Sequence, residues 1–183
     1  MRHHGSRKSI PLRSWPFLAT VPLLLLLLGG CGYRSVDWQG RDFVAAGKKI
    51  AVPLFANKTY RPYLESIVTQ AVVRELARQT GGEVVPSDRA ELLLTGAVLS
   101  SSTVPIAYTA SDTVRVYRAA LTIEATLVEK KSGSVLWKGE LTASQDYPTN
   151  TDLALQQNNE TAAFLEIARI LADDLSRKIS EEF

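Results

Sequence analysis

Histidine and cysteine are nearly absent from this 183-residue chain. There are two histidines, His3 and His4, and one cysteine, Cys31. A single cysteine cannot form an internal disulfide or supply a Cys-rich zinc site. Long apolar runs are missing too, apart from Trp15 to Leu28, which ends in the six leucines Leu23 to Leu28. That run is short of the roughly 20 apolar residues a spanning helix needs, and Pro16 and Pro22 interrupt it. Acidic residues are lacking ahead of it, where Arg2, Arg7, Lys8 and Arg13 stand alone. A basic start, a short apolar stretch and small residues before a cut are the parts of a secretory signal.

The tetrad Leu28-Gly29-Gly30-Cys31 resembles a lipobox, the recognition sequence of bacterial lipoprotein signal peptides. It implies cleavage after Gly30 and acylation of Cys31 (palmitate and diacylglycerol), with no other cofactor. Each buried methylene adds roughly 0.8 kcal/mol of membrane affinity, and one chain alone binds only marginally. A lipoprotein terminus with three chains would hold firmly. Gly32, not an aspartate, follows the cysteine, which favours the periplasmic face of the cell outer membrane over retention at the inner membrane.

Removal of residues 1–30 changes the chemistry that is left. Of 21 basic residues the signal takes 4, leaving 17 against 19 acidic residues, so the mature protein is slightly negative. That balance gives no support to nucleic-acid binding, which needs a basic stripe on the folded domain. Both histidines leave with the signal and the one thiol is used for lipid. Ser-His and Cys-His nucleophilic pairs are thereby excluded, and no metal site is expected. Glu124 and Glu140 are the nearest approach to a carboxylate pair, yet they sit among Thr and Lys residues with no catalytic motif around them. The sequence reads as no enzyme.

Three segments follow: a signal over 1–30, a lipidated tether over 31–47, and one α/β domain over 48–183. Ile50 to Phe55 is a short apolar run of strand type, ended by Asn57-Lys58-Thr59. Pro62 suits a helix start. Leu64, Ile67, Val68, Ala71, Val72 and Leu76 then keep helical spacing, and Gly81-Gly82 supplies a stop. From Glu91 the period shortens. Leu92 to Leu99 reads as a strand, and Ser100 to Thr113 as a polar loop containing Pro105 and Tyr108. Tyr117 to Val128 alternates, with Leu121, Ile123, Ala125 and Leu127 on one face. Lys131 to Ser134 reads as a hairpin turn, and Val135, Trp137, Leu141 and Ala143 as the inward set of the return strand. A final helix starts near Thr151 or Asn158, with Phe164, Ile167, Ala168, Leu171, Leu175 and Ile179 as its core stripe.

The predicted fold is a two-layer α/β sandwich in the order β-α-β-β-β-α. A four-stranded mixed sheet carries two helices on one face. A strand that enters a crossover helix should run parallel to its neighbour. The outward Thr, Ser, Lys and Glu of the hairpin predict a second sheet face open to water.

Cys31-Gly32-Tyr33-Arg34, the Ile50-to-Phe55 strand, the Leu64-to-Leu76 helix and the Leu92-to-Leu99 strand are similar in order to the LptE family of lipopolysaccharide-assembly lipoproteins. Tyr117-Arg118 entering a long strand, Trp137 in its return and Asn159-Glu160 before the last helix continue the resemblance. It implies a non-enzymatic lipoprotein that plugs the LptD β-barrel and helps deliver lipopolysaccharide. The candidate contacts to barrel or lipopolysaccharide are Tyr108, Arg115, Tyr117 and Arg118, with Lys58 and Arg61 as a second basic pair. Arginine suits a lipid phosphate because its planar fork binds two oxygens at once. On the residues alone, Arg115 and Arg118 also read as solvated strand-end charges. The first half of the chain also resembles lipoprotein activators of peptidoglycan synthases and curli-secretion lipoproteins, through its apolar strand, Asn-containing turn, helix and Leu94-Thr95-Gly96.

Overall fold

In the computed structural model the described residues are 48–80 and 83–181. The signal, Cys31, the tether and the Gly81-Gly82 stop fall outside them. Within them the order is β1 (Ile50–Ala51), β2 (Ala56–Asn57), α1 (Leu64–Thr80), β3 (Leu92–Tyr108), β4 (Val114–Glu129), β5 (Val135–Pro148) and α2 (Leu153–Glu181). The sheet order is β1-β3-β4-β5, with β2 following β1 along the same edge of β3. β1 and β2 run parallel to β3, and β3, β4 and β5 are antiparallel. The expected mixed sheet with a parallel first strand is present.

Three expectations need correction. The first apolar run is not one strand but two short ones. Pro53 cannot donate to a ladder, so the chain leaves β3 at Val52-Pro53-Leu54 and returns at Ala56. The Phe55 N–H in the gap donates to Thr69 Oγ1 at 3.0 Å, which satisfies a buried donor from α1. The second correction is the Ser100-to-Thr113 loop. β3 continues through it to Tyr108, and only the turn beyond is irregular. Hydroxyl and β-branched side chains suit a water-facing strand, and Pro105 is accommodated because β3 has lost its parallel neighbours by that point. Thirdly, Val135 is 59% exposed, and Leu136 and Trp137 pack on the core instead. The ladder shifts register between Leu127 and Val128, and a one-residue shift reverses which side a residue faces.

The first helix begins two residues later than expected, and the second begins at Leu153, between the two expected starts near Thr151 and Asn158. Pro62 precedes α1 by two residues, with Tyr63 between them at φ 69°. α2 is started by Asp152, whose Oδ1 accepts the N–H of Ala154 at 2.8 Å and of Leu155 at 3.1 Å.

Both helices lie on one face. Leu64, Val68, Val72 and Leu76 of α1, and Phe164, Ile167, Leu171, Leu175 and Ile179 of α2, enclose Leu94, Val98, Leu121, Ile123 and Leu127 of the sheet. Gly96 makes room for Phe55, since a Cβ there would lie 2.1 Å from the Phe55 ring. Among the described residues nothing covers the opposite face. The result is a layer of helix, a core, a sheet and then water.

Candidate functional site

The uncovered face is built from cross-strand rows that register fixes. Thr95, Thr126 and Lys138 form one row, Ser100, Thr122 and Thr142 another, and Ser102, Ala120 and Ser144 a third. Thr122 and Thr142 hydroxyls meet at 2.9 Å. Glu124 and Glu140 are direct neighbours, and Lys138 Nζ lies 3.5 Å from Glu124. The cation offsets the repulsion of the two carboxylates across the ladder. Among the described residues no cluster of three or more acidic, His or Cys side chains converges as a metal site would. The face offers many hydroxyls, small residues and compensated charges.

At the far end of this face the predicted contact residues divide. Arg118 and Asp146 are opposite each other, and the guanidinium donates through two nitrogens, at 2.6 and 2.8 Å, to the two carboxylate oxygens. The hydrogen bond from Arg118 holds the Asp146 carboxyl below its ordinary range. Arg118 is thus already committed to a carboxylate. Arg115 is exposed and has no carboxylate partner among the described residues. Tyr108 is exposed at the end of β3, near Val114 in register. Val104 and Ile106 are exposed in the same stretch of β3, and Leu153 and Leu155 are exposed in the first turn of α2, which follows the end of β5.

Tyr117 turns the other way, toward the helices. Its ring stacks on Tyr147 with centroids 5.8 Å apart. Tyr147 is buried, and burial first, then the charge of Glu160, raises its phenol above the ordinary range. Glu160 accepts from Arg61 at 2.5 Å and from the Thr103 hydroxyl at 3.1 Å. The Arg61 guanidinium also lies 4.4 Å over the Phe164 ring, within reach of a cation–π attraction. Arg61 therefore joins the turn before α1 to β3 and α2, and its charge is largely neutralised.

The other half of the predicted basic pair, Lys58, is exposed and has no carboxylate partner among the described residues. Asn57 shapes its turn. The Asn57 Oδ1 accepts the N–H and hydroxyl of Thr59, while its Nδ2 donates to the Arg61 carbonyl and to Glu65. Every polar atom of that side chain is used, which makes the turn a fixed mount for Lys58, Tyr60 and Arg61. Beside it lies a cleft of about 380 Å³, whose opposite wall is Leu99 to Thr103 of β3.

Of the residues singled out in the sequence, Tyr108, Arg115 and Lys58 are exposed, and the expected polar sheet face is present. Sequence reasoning missed Asp146, Glu160, Thr103 and Tyr147 as partners, because each is recruited by cross-strand or helix-to-strand register.

The family model for LptE, lipopolysaccharide-assembly, matches residues 47–179. No curated protein matches the sequence. Solved structures share the fold at low identity. A protein from Xanthomonas campestris has a TM-score of 0.52 at 14% identity, covering 74% of this chain and 85% of its own. Lipoprotein B from Nitrosomonas europaea gives 0.51 at 12%, over 73% and 82%. A protein from Chlamydia trachomatis gives 0.52 at 10%, over 72% and 97%. With the family model spanning nearly all of the described domain, the chain belongs to the LptE family of lipopolysaccharide-assembly proteins, which are not enzymes.

Proposed function

We propose that the chain is an outer-membrane lipoprotein, anchored through lipid on Cys31 at the periplasmic face, that plugs an LptD-type β-barrel and assists lipopolysaccharide assembly. The observation that carries this reading is the uncovered sheet face. A large barrel has a polar, water-filled interior, and a plug that enters it needs a rigid surface able to exchange hydrogen bonds with polar walls. Rows of Thr, Ser and paired charges on a three-stranded antiparallel platform meet that need. The exposed Ile106 and Tyr108 of β3 suit a drier contact. Of the four predicted cations, Arg115 and Lys58 have no carboxylate partner among the described residues and are the ones open to a lipid phosphate, whereas Arg61 and Arg118 are paired with Glu160 and Asp146.

The test is capture from detergent-solubilised outer membrane, followed by identification of what is retained. Wild type is expected to retain a large β-barrel and lipopolysaccharide. The variant Thr142→Arg with Ser144→Arg, which adds bulk and charge to exposed positions, should keep its Tm and lose the barrel. Charge reversal at Arg115 should reduce bound lipopolysaccharide without releasing the barrel. Recovery of a penicillin-binding protein in place of a barrel would favour the peptidoglycan-synthase activator reading.

A further inference from the structure

The line of short strands on the edge of β3 stops before β3 does. β1 pairs at Leu92 and Leu93, β2 at Ala97 and Val98, and the Lys58 N–H then donates to the Val98 carbonyl at 2.9 Å. The Asn57 turn next carries the chain away toward α1. β3 runs on for ten more residues with β4 on its other side only.

Which backbone groups are left open follows from the ladder. Val98 directs its carbonyl to Lys58, so its pair with Ile123 is a non-hydrogen-bonded one, and such pairs alternate along an antiparallel ladder. The register shift between Val98 and Ser100 keeps that alternation on β4 while moving it by one on β3. Ser100 and Ser102, opposite Thr122 and Ala120, then bond to β4. Ser101, Thr103 and Pro105, opposite Leu121, Ala119 and Tyr117, direct their backbone groups outward. The other edge of β4 agrees, since the carbonyl of Arg115, another odd-numbered residue, accepts from Thr149 at 3.0 Å. Pro105 fits the same pattern, because a proline belongs where no ladder donor is needed. It also ends the row, so that the open slot is Ser101 to Thr103.

We infer that this slot, in the cleft beside Lys58 and Tyr60, receives an extended acidic segment of the barrel partner as an added strand. Strand addition to an exposed sheet edge gains affinity from main-chain hydrogen bonds and specificity from flanking side chains. The cleft occupies the place of the next strand after β2, and continues the line that β1 and β2 already follow. Charge selects the occupant. Lys58 stands at the cleft without a carboxylate partner among the described residues, so an acidic residue in the incoming segment completes it. The inference rests on the plug reading, and it specifies one contact within it.

Amide hydrogen exchange on the full lipidated protein, free and in complex with the barrel, tests it. Ser100 and Ser102 are expected to be protected in both states. Ser101 and Thr103 should exchange fast in the free protein and become protected in the complex. A second arm uses Ser101→Pro, which removes an outward donor and leaves the β4 ladder intact, as Pro105 does two steps on. It should keep the fold and weaken the complex by about fivefold or more, the value of one net hydrogen bond. Fast exchange at Ser101 and Thr103 in an intact complex, or full affinity of the Ser101→Pro variant, overturns the strand contact and leaves the plug reading standing. Failure to form any barrel complex removes both. Protection that grows with concentration in the free protein would identify a second copy of the chain as the occupant, and would also overturn the inference.

Discussion

Gly96 and Phe55 show how much one hydrogen atom in place of a methyl can decide. The Phe55 ring, 2% exposed, lies where a Cβ on residue 96 would be, at 2.1 Å. Phe55 is also the residue whose N–H is held by Thr69, so neither its backbone nor its ring is free to retreat. Gly96→Ala is expected to destabilise the domain by about 1–3 kcal/mol, as overpacking of a well-packed core does. Thermal unfolding measures it, and Phe55→Leu in the same background should return part of the loss because the two residues touch. Arg118 makes a second residue-scale case. Its hydrogen bonds hold the Asp146 carboxyl below its ordinary range. A carboxyl depressed in the folded state stabilises above its unfolded pKa, and that contribution is lost as pH falls through the folded value. An NMR titration of the Arg118→Gln variant should show the Asp146 midpoint move upward, and with it a smaller dependence of stability on acid. Both groups are well exposed, so the effect on stability near neutral pH should be small.

At the scale of elements, α2 depends on a cap that the sequence concealed. Its start could be placed near Thr151 or Asn158, and Asp152 proves to be the residue that accepts the first free N–H groups. Asp152→Ala should cost about 1 kcal/mol and fray the turn that carries Leu153 and Leu155, seen as faster amide exchange confined to that turn. The two helices and the β4–β5 hairpin were legible in the sequence because their apolar spacing is set by burial on one side only. Leu121, Ile123, Ala125 and Leu127 alternate without interruption, and all four are buried. Register was not legible. Counted outward from Val128 and Val135, Arg118 falls opposite Gln145, and only the shift beside Leu127 brings it to Asp146. The Arg61–Glu160 pair, 99 residues apart in sequence, has no local signature at all. The extent of β3 is hidden for a different reason. Ser100 to Thr103 has the composition of a loop, yet a strand with water on one face and an open edge can be built from such residues.

At the scale of the molecule, the proposed function assigns fold and location to different parts of the chain. The core formed by α1, α2 and the sheet is complete within the described residues, and none of its helices is long and apolar enough to cross a membrane. In the proposed reading, attachment comes from lipid on Cys31 and from the barrel. On that reading the lipid would act as a tether and not as a contact. It raises the domain's concentration at the membrane surface, and so favours a complex without strengthening any bond within it. A protein carrying a cleavable, non-lipid secretory signal in place of residues 1–31 should therefore unfold at the same Tm as the lipidated form. At ordinary expression it should shift from the membrane fraction to the soluble periplasm and assemble less barrel. Raising its expression should restore barrel assembly, since added concentration replaces what the lipid supplied, and the restored protein should sediment with the membrane through the barrel alone. A soluble form that folds normally but fails to assemble barrel at any expression level would mean that the lipid is itself part of the contact.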